Sequence, residues 1–137
     1  MKIPKRPRKI RATLAQEIGE GCSGRVFRIS PRRVVKIFFG DPPEQKDLVL
    51  DEIEGSKLSK HALPILEIVK VKVRNRTMLG IIKRYIPHDV EEEEASTLRQ
   101  QLYEETDELS WDCYSDNVKK DSRGRLWLID TQTEAFL

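Results

Sequence analysis

At 137 residues, 35% charged and 38% hydrophobic, the chain has the length of one domain and is too apolar to stay disordered. No apolar stretch reaches the roughly 18 residues that span a bilayer, and no signal-peptide run opens the sequence. Only Cys22 and Cys113 are present, too few for a disulfide framework, so a reducing, cytoplasmic setting is expected.

The net charge of +2 hides a segregation. Residues 1–11 carry Lys2, Lys5, Arg6, Arg8, Lys9 and Arg11 without an acid, whereas residues 89–108 hold nine acids against Arg99 alone. Pro4 and Pro7 keep residues 1–12 extended, and this segment reads as a flexible basic arm. It could neutralise phosphates, meet an acidic partner, fold back on the acidic segment or stay solvated. No aromatic residue is interleaved with it, so nucleic acid is the less favoured partner, left open by residues 2–11.

From Thr13 the pattern turns β-like. Leu14 to Ile18 leads into a glycine loop, Gly19-Glu20-Gly21-Cys22-Ser23-Gly24, and Val26 to Ile29 leads out as a second strand. A dinucleotide-binding loop would open a helix at its third glycine, so strand–loop–strand favours a hairpin flap. Ser30-Pro31-Arg32 makes a turn into Val34–Phe39, a strand that carries Lys36 among apolar neighbours. Asp41 with Pro42, Pro43 and Glu44 then caps a helix expected to reach about Lys60. On it Leu50, Glu54 and Leu58 stand at i, i+4 and i+8, so Glu54 is expected within the apolar stripe, with Glu52 as the second choice. Gly55 weakens that helix by about 1 kcal/mol relative to Ala.

Two strands follow, Ile65–Val73 and Thr77–Ile86, which complete five strands and a helix over residues 13–87. Asp89 is expected to cap the longest helix, from Val90 to about Leu109, with Ala95, Leu98, Leu102 and Leu109 on one side. Short strands around Val118 and Leu126–Ile129 flank the turn Asp121-Ser122-Arg123-Gly124. Asp112 and Asn117 are separated by four residues, and Asp130 ends the last strand. Asparagine and aspartate oxygens suit Mg²⁺, a hard cation.

The glycine loop, Lys36, a helix glutamate, Asp112 with Asn117, and Asp130 stand in the order of a protein-kinase active site. Over residues 13–132 the chain resembles the protein-kinase-like superfamily. In size and truncation it is most similar to minimal effector kinases secreted by bacterial pathogens. The resemblance implies an α+β, bilobal fold: a five-stranded antiparallel N-lobe with one helix over residues 13–87, and a much reduced C-lobe over residues 88–137. It implies ATP held by Gly19, Gly21, Ser23, Gly24, Val26 and Lys36 and by backbone groups of Arg84 and Ile86, at a hinge near residues 83–87. It implies Mg²⁺ on Asn117 and Asp130, Asp112 as catalytic base, and Lys36 paired with Glu54.

The expected activity is transfer of the ATP γ-phosphate to a protein Ser/Thr hydroxyl or to the chain itself, alone or once a partner completes the small lobe. A protein partner or substrate is therefore expected, in the cytoplasm or after delivery into a host cell. The alternative is a nucleotide-binding pseudokinase that acts as an interaction module. Ser110-Trp111 replaces the usual His-Arg, Tyr114 the phosphate-assisting lysine, and Asp130-Thr131-Gln132 the usual Asp-Phe-Gly. With seven residues after Asp130, an activation segment and substrate-binding helices are expected to be missing.

Overall fold

The computed structural model describes residues 1–20, 24–106 and 117–131. They form an α+β arrangement of a six-stranded mixed sheet, a three-stranded sheet and two α-helices. The chain divides into two units, residues 1–50 with 65–85 and residues 51–64 with 86–137.

The first unit is built on strands β1 (Arg8–Arg11), β2 (Glu17–Glu20), β3 (Gly24–Ser30), β4 (Arg33–Phe38), β5 (Glu67–Val73) and β6 (Arg76–Arg84). Their order is β1-β5-β6-β4-β3-β2, with every neighbour antiparallel except β1, which runs parallel to β5. Alternation decides the faces. Phe27, Val35, Ile37, Val69, Val71 and Ile82 turn to one side and pack with Ala12, Val73 and Met78 into a buried core. Burying each such side chain contributes about 1.5–3 kcal/mol.

Two expectations fail in this unit. The arm is not flexible throughout, because Arg8–Arg11 adds a sixth strand to the sheet. Arg8 anchors it with two hydrogen bonds to Glu67, at 2.9 and 2.8 Å. The backbone of a strand needs a ladder partner, and β5 supplies one from a segment far away in sequence. Secondly, Leu14–Gln16 is a 3-10 turn, not the start of a strand. The Thr13 N–H donates to Gln16 Oε1 and draws the backbone into that turn before β2 begins.

Helix α1 (Pro42–Ser56) starts as expected, with the Glu44 N–H donating to Asp41 Oδ1 at 3.1 Å. It stops four residues short of Lys60, its last turn tightening as the Lys57 and Leu58 N–H groups donate to the Glu54 and Gly55 carbonyls. Gln45 is buried near its start. It donates to the Gly40 carbonyl and accepts the Leu79 N–H of β6, so both ends of one amide are satisfied.

The second unit holds the three-stranded sheet, β7 (His88–Asp89), β8 (Val118–Lys120) and β9 (Leu126–Leu128), in the order β7-β8-β9. It also holds helix α2, Glu92–Thr106, which begins two residues after the expected Val90, while Asp107, Glu108 and Leu109 lie outside the described residues. Asp89 does not cap α2. It pairs with Lys119 across β7 and β8, and its carboxylate is ion-paired to Lys119. The helix is entered through Glu91, whose N–H faces Glu94 Oε1. Ala95, Leu98 and Leu102 are buried with Val118 and Leu128, as the helical spacing requires. No helix among the described residues is long and apolar enough to cross a membrane.

Candidate functional site

In the first unit one row of residues crosses the sheet. The register sets Gly19 across from Val26, Val26 across from Lys36, Lys36 across from Ile81, and Ile81 across from Ile68. Cross-strand partners share a face, so three of the residues expected to bind nucleotide, Gly19, Val26 and Lys36, stand side by side. Lys36 is only 9% exposed, and its ammonium lies 5.1 Å from the Phe38 ring centroid. A cation held this deep by a strand is preorganised, because its stem is already ordered before any anion arrives.

The two described glycines of the loop differ in what they do. A Cβ at Gly19 would meet nothing within 4 Å, so the face beside Val26 is open there. A Cβ at Gly24 would lie 1.9 Å from the Ile37 carbonyl oxygen, so that glycine is required by the close approach of β3 to β4. Gly21, Cys22 and Ser23 lie outside the described residues. At the far end of β6 Arg84 is exposed, while Tyr85 donates its N–H to the Arg32 carbonyl and takes the Arg28 guanidinium over its ring at 4.0 Å. The first unit ends at Tyr85, and Ile86 opens the second segment of the other unit, where it is buried with Leu63 and Trp127.

In the second unit the β8–β9 hairpin brings Asn117 and Asp130 to the same end. Val118 pairs with Leu128, and the ladder continues one step further, with the Ile129 N–H donating to the Asn117 carbonyl at 2.9 Å. The opposite end is closed by Asp121. It accepts the N–H groups of Arg123 and Arg125 on one oxygen and Trp127 Nε1 on the other. Asp112, with Ser110, Trp111, Cys113 and Tyr114, lies outside the described residues.

Residue 131 fixes this hairpin to α1. Thr131 is fully buried, and its Oγ1 donates to the Glu52 carbonyl at 2.9 Å. Gly55 permits the approach, since a Cβ there would lie 1.9 Å from the Thr131 carbonyl oxygen. The glycine that weakens α1 by propensity is thus what lets α1 rest on the strand end that carries Asp130.

The expected helix face is overturned. Leu50 is 40% and Leu58 45% exposed, and the Glu54 side chain is 76% exposed with a solvent-side contact to Lys57 at 3.5 Å. The buried stripe is Gln45, Val49, Glu52 and Ile53, with Glu52 at 0% exposure. Glu52, not Glu54, is the carboxylate that α1 carries inward. The spacing i, i+4, i+7, i+8 through these four residues was the available signal. It was masked because two of the four are polar.

Shifted acids lie elsewhere. Hydrogen bonding to Lys119 holds the Asp89 carboxyl below its ordinary value, and Lys120 with the Glu91 N–H does the same for Glu94. These groups are solvent-facing and hold the small sheet and α2 together. Among the described residues no three His, Cys, Asp or Glu side chains cluster as metal ligands. The chain matches no model of a known protein family, and no curated protein matches it.

Proposed function

We propose that this chain is a minimal ATP-dependent phosphotransferase with a bilobal, protein-kinase-like fold. The reading is carried by one observation: the buried bond from Thr131 Oγ1 to the Glu52 carbonyl. It joins a helix bearing a wholly buried carboxylate to the residue beside Asp130, and Asn117 is fixed one ladder step away. A strand end that needed only to terminate would have no reason to engage the helix at its one buried glutamate.

The donor chemistry fits the implied ligands. Asn117 and Asp130 offer hard oxygens, which suit Mg²⁺ shared with phosphates. Lys36 offers a fixed cation for phosphate oxygens, and Gly19 and Val26 leave an open, apolar surface beside it for a base. Bound Mg²⁺ supplies charge neutralisation for the polyphosphate. Glu52 takes the place of Glu54 as the helix carboxylate of the set. Asp112 would accept or orient the proton of the attacking hydroxyl. A protein hydroxyl, or one of the chain itself, is the proposed acceptor.

The second reading, a nucleotide-binding regulatory module, keeps the same binding residues and drops the transfer. Ser110, Trp111 and Tyr114 favour it, because the basic groups that assist phosphate and activation-segment chemistry are absent from those positions. Measuring γ-phosphate transfer beside nucleotide binding decides between them. Asp112→Asn should leave Mg-ATP binding intact and abolish transfer, whereas Asp130→Ala should weaken the metal-dependent binding itself. Wild-type binding without transfer to any protein or to itself selects the regulatory module.

A further inference from the structure

The β1 edge of the large sheet carries a feature independent of phosphotransfer. Residues 1–16 and 68–88 lack any acid, and each segment holds six Lys or Arg residues. The parallel pairing of β1 with β5 lays them side by side. Its register sets Lys9 beside Lys70 and Arg11 beside Lys72. Partners in register point to one face, so these four exposed cations form a two-by-two array. Strand geometry spaces it at about 6.6 Å along each strand and about 4.8 Å between strands.

Arg8, Ile10, Val69 and Val71 alternate to the other face, where the two valines are buried and Glu67 neutralises Arg8. The neighbouring acid is thus committed to the cation that faces away. Among the described residues none of Lys9, Arg11, Lys70 and Lys72 has a carboxylate partner. Like charges opposed on adjacent strands destabilise a sheet, so the array disfavours its own strand pairing until an anion covers it. It continues to Arg74, which lines an open groove of about 400 Å³ with Arg11, Thr13 and Lys72. Arg74 sits at φ 55°, a left-handed conformation that a residue with a Cβ adopts at a cost.

We propose that this array docks the phosphate backbone of a nucleic acid duplex, without regard to base sequence. Charge density chooses the occupant. One strand of a duplex carries one charge per about 3.4 Å of axis, whereas an extended acidic peptide turns one carboxylate to a given face per about 6.6 Å. No exposed aromatic side chain stands on β1 or β5, so the face has no stacking platform for unpaired bases. The exposed Leu14 at the groove and Leu66 before β5 are single apolar side chains rather than the continuous apolar face that a membrane surface needs.

The test is a fluorescence-anisotropy titration of the full chain against a labelled mixed-sequence DNA duplex, without metal or nucleoside triphosphate. Four phosphate contacts give a log–log salt slope of about −3.6, a weakening of about 150-fold between 50 and 200 mM salt. Lys70→Ala/Lys72→Ala should reduce the slope to about −1.8, with the same result for a shuffled duplex. Lys46→Ala/Lys57→Ala, which removes two exposed lysines at α1, should leave it unchanged. The proposal is overturned by no duplex binding at 50 mM salt, or by a slope that Lys70→Ala/Lys72→Ala does not alter. Tighter binding to poly-glutamate or to anionic phospholipid vesicles than to duplex at equal salt also overturns it.

Discussion

Gly55→Ala pits helix propensity against packing, and the two predict opposite signs. In an isolated helix the change stabilises by about 1 kcal/mol. Here the new Cβ would lie 1.9 Å from the Thr131 carbonyl oxygen and 3.1 Å from the Thr131 Cβ. Backbone meets backbone, so no flexible side chain can move aside. Forcing the helix and strand end apart costs about 1–3 kcal/mol as overpacking. The shift also stretches the 2.9 Å bond from Thr131 to Glu52, a further loss of about 1 kcal/mol. After the propensity gain is subtracted, the net is a destabilisation of about 2 kcal/mol. That corresponds to a fall in Tm of roughly 6–10 °C for a chain of this size. Urea unfolding followed by tryptophan fluorescence, with Trp127 buried in this unit, reads the change directly. A variant as stable as the parent, or more stable, would falsify the close docking of α1 on residue 131.

Thr131→Val keeps the shape and removes the hydroxyl, and should lower stability by about 1 kcal/mol in the same assay; no change would mean that the bond to Glu52 contributes nothing. Glu54→Gln should alter stability by less than about 0.5 kcal/mol and leave any nucleotide response intact, since Glu54 is exposed. Glu52→Gln should abolish that response, and the reverse pattern would return the role to Glu54. The Asp89 and Glu94 carboxyls titrate below their ordinary values of 3.8 and 4.5, held down by Lys119 and Lys120. Their contribution is complete above those values and is lost as pH falls through the depressed ones. The acid limb of stability below about pH 4 should therefore flatten in Lys119→Ala/Lys120→Ala, and an unchanged limb would show that these pairs are not linked to folding.

Local patterns announced most of the strands. β3, β4, β5 and β6 carry β-branched residues and are bounded by turn residues, β5 alternating cleanly and β4 and β6 holding apolar runs, so their existence and antiparallel pairing were legible. β1 was not, because its partner lies 59 residues away at the Arg8–Glu67 contact and its prolines and charges mimic a tail. The spacing of Asn117 and Asp130 around Asp121–Gly124 could be read as a hairpin that brings the two residues to its open end. The face of α1 was harder to read. Leu50 and Leu58 look like core, while the stripe that is buried, Gln45, Val49, Glu52 and Ile53, is half polar. Gly24 read as a phosphate-loop glycine, and what the structure gives for it is the close approach of β3 to β4.

Thermal unfolding of the full chain with and without Mg-ATP tests the central claim most directly. Ligand at 100 times its dissociation constant should stabilise by about 2.7 kcal/mol. The shift should require both metal and nucleotide, and it should vanish in Lys36→Met and in Asp130→Ala. A melting temperature unmoved by millimolar Mg-ATP, or a shift that persists in both variants, would contradict the phosphotransferase reading and the nucleotide-binding alternative together.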